Sequence, residues 1–240
     1  MALTTLLIDC RMPSEGERRL LSLGYSVMRL PPMRGLPEAI ESHPDTLIFK
    51  HGTNIITSAD YTDAAAYIFS DLRELYPKLR LSFTADTVGN KYPSDARYNA
   101  LVIGDHLLCN TRNVSEKIKE YASELGLGIL HTNQGYPACS TLVLGGRCAI
   151  SADGGIVKTL SEAGYETLLI KEGGISLPPY GYGFIGGATA VIGRRVFFFG
   201  DPTGHPSYCE MERFISERGY EIFRLLGGGL IDLGGITVIE

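Results

Sequence analysis

The residues best placed to do chemistry gather around one cysteine. Gln134-Gly135-Tyr136-Pro137-Ala138-Cys139-Ser140 puts a thiol at the end of a polar, glycine-bearing loop and directly before an apolar strand. A thiolate there could attack an electrophilic carbon, because sulfur is a strong nucleophile once its pKa is lowered. His205, beside Pro206 at the start of a helical stretch, could move the proton, and His131 is the alternative. Asp201 and Asp153 follow strands and precede helices, with Asp9 and Asn110 at equivalent places. Glu172 and Asp232 are loop acids able to face a cation, and Tyr182 belongs to an aromatic run from Tyr180 to Phe184. Each has a plainer reading. A free cysteine is often a small buried apolar residue, and Asp before a helix is usually a cap. His43, His51 and His106 read as surface histidines in loops or turns, and the other four cysteines as core packing. At a polar mouth, Cys139 is expected to have a depressed pKa.

These residues need elements to bring them together, and a recurring string supplies them. A helical stretch, then Gly-Tyr or a similar pair, then a short apolar strand occurs at Leu23-Gly24-Tyr25, Leu75-Tyr76-Pro77, Leu125-Gly126-Leu127, Ala163-Gly164-Tyr165 and Arg218-Gly219-Tyr220. Four of the five have Gly where a helix end favours a left-handed residue. The helix starts fall near residues 15, 61, 114, 155 and 206, on the order of 40–55 residues apart. Ser14 with Glu17 and Asn113 with Glu116 fit capping boxes, and Pro206 suits a first helical position. Between helices lie hairpins with turns at Gly52, Gly104-Asp105, Gly145-Gly146 and Gly193. The fifth unit has only Ile236–Ile239, and its missing partner is Leu6-Leu7-Ile8, so the last and first strands are expected to pair and close a ring. The expected architecture is an α/β five-bladed propeller, one cyclic domain over 1–240, with the strand ends around one central mouth.

Composition narrows the function. The chain has 240 residues, 44% hydrophobic and 20% charged, with net charge -5. That acidity disfavours nucleic acid as a partner. No apolar run approaches the ~20 residues of a membrane span. The opening Met1-Ala2-Leu3-Thr4-Thr5 lacks the basic region of a signal peptide. Five cysteines without a CxxC pair or a zinc-type spacing read as a reduced, cytoplasmic protein with no metal. Gly181-Tyr182-Gly183-Phe184-Ile185-Gly186 matches G-x-G-x-x-G but follows prolines rather than a strand and precedes a strand rather than a helix, so a dinucleotide cofactor is not expected.

Five such units resemble the pentein, or α/β-propeller, architecture of guanidino-group modifying enzymes. The segments Gln134–Ser140, Ile150–Asp153, Gly181–Ala188 and Phe199-Gly200-Asp201 to His205-Pro206 resemble an uncharacterised bacterial domain family of that fold. The resemblance implies a cysteine nucleophile, a histidine in a His-x-Asp/Glu motif, and carboxylates that hold a cationic substrate. It places the cysteine at the first strand of the last unit and the histidine one unit earlier. This chain has Gly234-Gly235-Ile236 and Gly186-Gly187-Ala188 at those places, while Cys139 holds the nucleophile's kind of position in another unit. The expectation is therefore a cysteine-dependent hydrolase or transferase on a small guanidino- or amide-type metabolite bound in the mouth. The alternative is a non-catalytic relative that binds a small ligand or a macromolecular partner.

Overall fold

The computed structural model describes residues 4–240; Met1–Leu3, part of the stretch read against a signal peptide, lie outside them. In chain order, β1 (Thr5–Asp9), α1 (Ser14–Ser22) and β2 (Ser26–Leu30) are followed by α2 (Pro44–Leu47), β3 (Ile48–His51), β4 (Asn54–Ser58), α3 (Ala66–Leu75) and β5 (Arg80–Thr84). Next come β6 (Leu101–Ile103), β7 (His106–Cys109), α4 (Glu116–Glu124), β8 (Gly128–His131), α5 (Pro137–Ser140), β9 (Thr141–Leu144), β10 (Cys148–Ser151), α6 (Gly154–Glu162) and β11 (Glu166–Leu169). The chain ends with β12 (Ile175–Ser176), β13 (Thr189–Ile192), β14 (Arg195–Phe198), α7 (Tyr208–Glu217), β15 (Glu221–Arg224), β16 (Leu230–Ile231) and β17 (Thr237–Ile239).

Five three-stranded sheets share one connectivity: β17-β1-β2, β3-β4-β5, β6-β7-β8, β9-β10-β11 and β13-β14-β15. In each, the first pair is antiparallel and the second is parallel across a helix. The expected pairing of the chain's two end strands is present, with Thr5 opposite Ile239 and Leu7 opposite Thr237. No sheet closes on itself among the described residues; β12 and β16 form a separate two-stranded ladder.

Side-chain packing links the sheets instead. Side chains alternate across a strand, and β1 is buried on both faces. Leu7 packs with Ile48, Ile55 and Phe69 of the following unit. Leu6 and Ile8 pack with Phe197 and Phe199 at the chain's other end. Three further clusters join the intermediate sheets in the same manner. The five first strands β3, β6, β9, β13 and β17 line one axial cavity of about 340 Å³.

Several local expectations are corrected. Neither capping box forms: α1 follows Pro13 and α4 follows Ser115, with no side-chain cap at either. The helix expected near 61 starts at Ala66, after a 3-10 turn at Ala59–Tyr61. Pro206 precedes α7, whose first residue is Tyr208. Gly24, Gly126, Gly164 and Gly219 do take left-handed φ values after their helices. Cys209 is exposed rather than packed in the core.

Ile239 is fully buried in the strand that joins the two chain ends. We expect Ile239→Ala to cost about 2–4 kcal/mol, seen as a lower urea midpoint with an unchanged m-value.

Candidate active site

Two four-residue helices aim the site. Pro44 and Pro137 each sit at the start of one, where a fixed φ is favourable and no N–H is lost. α2 thereby delivers Asp45, with His43 just before it, and α5 delivers Cys139. Asn99 holds the second helix in place: its Oδ1 accepts from the N–H of Ala138 (2.8 Å) and of Cys139 (3.3 Å). Its Nδ2 donates to Cys139 Sγ at 3.3 Å. The thiol in turn donates to Asp45 Oδ2 at 2.8 Å.

His43 is completely buried between two further carboxylates. Its Nε2 lies 3.7 Å from Asp9 Oδ2 and its Nδ1 3.8 Å from Asp232 Oδ1, beyond hydrogen-bond length. One ligand atom each from His43, Asp45 and Cys139 lie within 4.8 Å of one another, a nitrogen–oxygen–sulfur set that could also hold a zinc-type ion. Asp9 is neutralised by Arg11, which donates from Nε (3.0 Å) and Nη2 (2.5 Å) and also reaches the carbonyls of Glu38 and Ala39. Asp232 accepts from the N–H of Phe184 (2.8 Å) and Gly234 (3.0 Å). Glycine is required beside this cluster. A Cβ on Gly187 would stand 2.0 Å from Asp232 Oδ1, and one on Gly234, at φ 67°, would stand 2.4 Å from His43 Cβ.

The electrostatics run against the expected thiolate. Burial first, then the charges of Asp45 and Asp232, push the Cys139 thiol well above the ordinary range. Burial also raises Asp45 to about 6, with Asp232 adding to the shift and His43 and the thiol opposing it. The pair at rest is a protonated thiol bonded to a carboxylate that titrates near neutrality.

Above the cluster opens a cavity of about 510 Å³ that has His43, Cys139 and Asp232 in its lining. Asp45 lies on the other side, where it lines the axial cavity. The rings of Tyr92, Tyr136, Phe184 and Tyr182 follow one another along the upper cavity at centroid spacings of 5.9, 6.5 and 6.2 Å.

Of the residues singled out in the sequence, Cys139, Asp9, Asp232 and Tyr182 come together here. His205 does not pair with Cys139. It lines a separate cavity of about 70 Å³ with Asp153, Glu172 and Tyr182. Its Nδ1 accepts from the Ser207 N–H, and burial lowers its pKa against the Gly173 carbonyl and Glu210. Asp201 is no partner of Cys139 either: it caps a 3-10 turn through Thr203 and pairs with Arg224 at 3.2 Å. Asp153 caps α6 through the Ile156 N–H and accepts from Gln134. Asn110 bonds the Arg112 N–H and the Asn133 carbonyl. His131 is exposed and bonds Thr111.

Missed in the sequence were His43, Asp45 and Asn99. The signal was there: His43-Pro44-Asp45 is a His-x-Asp string whose Asp stands three residues before a first strand, and Asn99 stands two residues before another.

Two outcomes follow for Asp45 and Cys139. Alkylation of Cys139 by iodoacetamide, followed by peptide mass spectrometry to separate it from exposed Cys209, is expected to show a midpoint above the ordinary thiol value of about 8.5. Asp45→Asn should move that midpoint down by removing the adjacent charge. Because the folded-state pKa of Asp45 lies above its ordinary 3.8, the folded chain holds a proton between pH 4 and 6 that the unfolded chain releases. Stability from this group is therefore greatest below that window and falls as pH rises through about 6. Urea midpoints at pH 4.5 and 7 should differ less in Asp45→Asn than in wild type.

Known structures share this fold. One is dimethylarginine dimethylaminohydrolase from Pseudomonas aeruginosa, a cysteine-to-serine mutant complexed with citrulline, with TM-score 0.60, 11% identity and coverage of 93% of this chain and 92% of that one. The inosamine-phosphate amidinotransferase of Streptomyces griseus gives 0.54 and 12%, covering 93% and 88%. An amidinotransferase from Microseira wollei, of the saxitoxin biosynthetic pathway, gives 0.54 and 10% over the same shares. These are the guanidino-group modifying, pentein-type proteins that the sequence resembles. No curated protein matches the chain. The family model that does match covers residues 7–237, and the chain belongs to that family, the family of unknown function DUF6873.

Proposed function

We propose that this protein is a cysteine-dependent hydrolase or transferase acting on a small guanidino or amidine compound, with Cys139 as nucleophile. The observation that carries the reading is the 2.8 Å hydrogen bond from the Cys139 thiol to Asp45 within a buried group that also holds His43 and Asp232. The whole chain is then one five-unit propeller domain, closed by packing between its end units, with the site at the central mouth.

The resting thiol is protonated because it is buried and because two carboxylates face it. A cationic head seated in the upper cavity against Asp232, with Asp45 behind the thiol, would offset those charges and lower the cost of forming the thiolate. Sulfur then bonds to the amidinium carbon as its proton passes to Asp45. The carbon–nitrogen bond breaks, and the leaving nitrogen carries that proton away, handed on through His43. An S-linked amidino group remains. Water or an acceptor amine attacks the same carbon, the sulfur–carbon bond breaks, a proton of the incoming water or amine passes to the sulfur, and the thiol is restored as a urea or a new guanidine leaves. Neutral substrates gain nothing from the two acids, so the site selects cations before chemistry begins.

A pair of matched alkylating agents tests this. Chloroacetamidine carries a cationic head, and chloroacetamide is its neutral counterpart. Wild type is expected to be labelled at Cys139 at least about 10-fold faster by the amidine. Asp45→Asn and Asp232→Asn should each erode that preference, and Cys139→Ser should not be labelled at this peptide. Equal rates for the two reagents on wild type would sink the reading. Selective labelling without turnover of any guanidine would instead favour the non-catalytic binder, which the raised thiol pKa alone supports.

A further inference from the structure

The cavity above Cys139 is too large and too apolar for a guanidinium alone. Its volume of about 510 Å³ is that of a site for a whole small molecule. One side is the succession of rings from Tyr92 through Tyr136 and Phe184 to Tyr182. Tyr136 also packs against the buried aliphatic group of Ile40 and Leu177. Formal charges lining the cavity are mostly negative, from Asp95 and Asp232. Among its described lining residues the one lysine or arginine is Lys91, exposed at the rim. A substrate carboxylate drawn inward would meet two acids and, among the described lining residues, no buried lysine or arginine, at a desolvation cost. A delocalised cation with an apolar body meets the opposite: acids for the head, and ring faces that attract cations and cover hydrocarbon.

We infer that the substrate class of this site is a carboxylate-free guanidine or amidine bearing an apolar alkyl or aryl substituent, with its head at Cys139 and its body along the Tyr92–Tyr136–Phe184–Tyr182 wall. This rests on the cysteine chemistry proposed above for where the head goes, and it adds what the rest of the molecule is. Amino-acid guanidines such as arginine are the compounds it excludes.

Binding separates the two claims. Isothermal titration of the full chain carrying Cys139→Ala, which cannot turn over a ligand through that thiol, compares phenethylguanidine, arginine, agmatine and neutral phenethylurea. Phenethylguanidine is expected to bind about 10-fold or more tighter than arginine and than phenethylurea, with agmatine between. Tyr92 and Tyr182 are 55% and 38% exposed, so truncating either spares the core. In the same background, Tyr92→Ala and Tyr182→Ala should each weaken phenethylguanidine about 5- to 20-fold and leave agmatine within about 3-fold. Arginine binding as tightly as phenethylguanidine overturns the inference, as does equal affinity for the urea, or no binding by any of the four. Turnover on wild type reports separately on the chemistry. If phenethylguanidine binds as expected but no guanidine is consumed, the recognition stands and the cysteine mechanism falls. If arginine is the preferred substrate, the mechanism stands and the recognition falls.

Discussion

Two buried carboxylates and a third, half-buried one around a single imidazole are the constraint that the rest of the site answers to. Asp9 and Asp232 are sealed from solvent within 4 Å of His43, and Asp45 sits beside them. Charges so placed are costly unless each is met by a donor. The chain provides a different one for each. Arg11 forks onto Asp9 and, through the carbonyls of Glu38 and Ala39, ties down the loop that leads to His43. Two backbone N–H groups serve Asp232, and one of them belongs to Phe184, so the acid also sets the start of the aromatic wall. Asp45 has only short side-chain donors, the Cys139 thiol and Thr46. Burial, with the charge of Asp232 added to it, raises its pKa to about 6 against the opposing His43 and those two donors.

The fold was legible because its information is local and repeated. Glycine after four of the helices, with Pro77 after the other, glycine at four hairpin tips and period-2 apolar strands mark one repeated connectivity, and the leftover strands at the two ends have only each other to pair with. Helix beginnings were less legible. Ser14 and Asn113 have the right types for caps, yet Pro13 and Ser115 occupy the positions, because loop geometry decides which residue stands at the boundary.

The site was half legible. Cys139 and Asp232 stand out by type and place. His43 does not, since a histidine in a proline-bearing loop looks solvated until Asp9 and Asp232 are known to flank it in space. His205 is the reverse case. Its sequence neighbourhood suggested catalysis, but the helix it precedes turns it toward Gly173 and a smaller cavity. Residues distant in sequence, such as Asn99 and Cys139, meet only because equivalent strand starts converge, and no local pattern encodes that distance.

That convergence has a consequence for how such a site is built. Asp45, Asn99 and Cys139 enter beside first strands of three successive sheets, while Gly187 and Gly235 stand near the remaining two starts. The bare backbone of Gly187 is the room that Asp232 fills, and Gly235 holds a left-handed φ of 70°. Three of the five starts thus bring their side chains to one point, and a fourth leaves room there for Asp232. A centre assembled this way is defined by where strand ends meet in space and not by neighbourhood along the chain, as the bonded pair Asn99 and Cys139 shows.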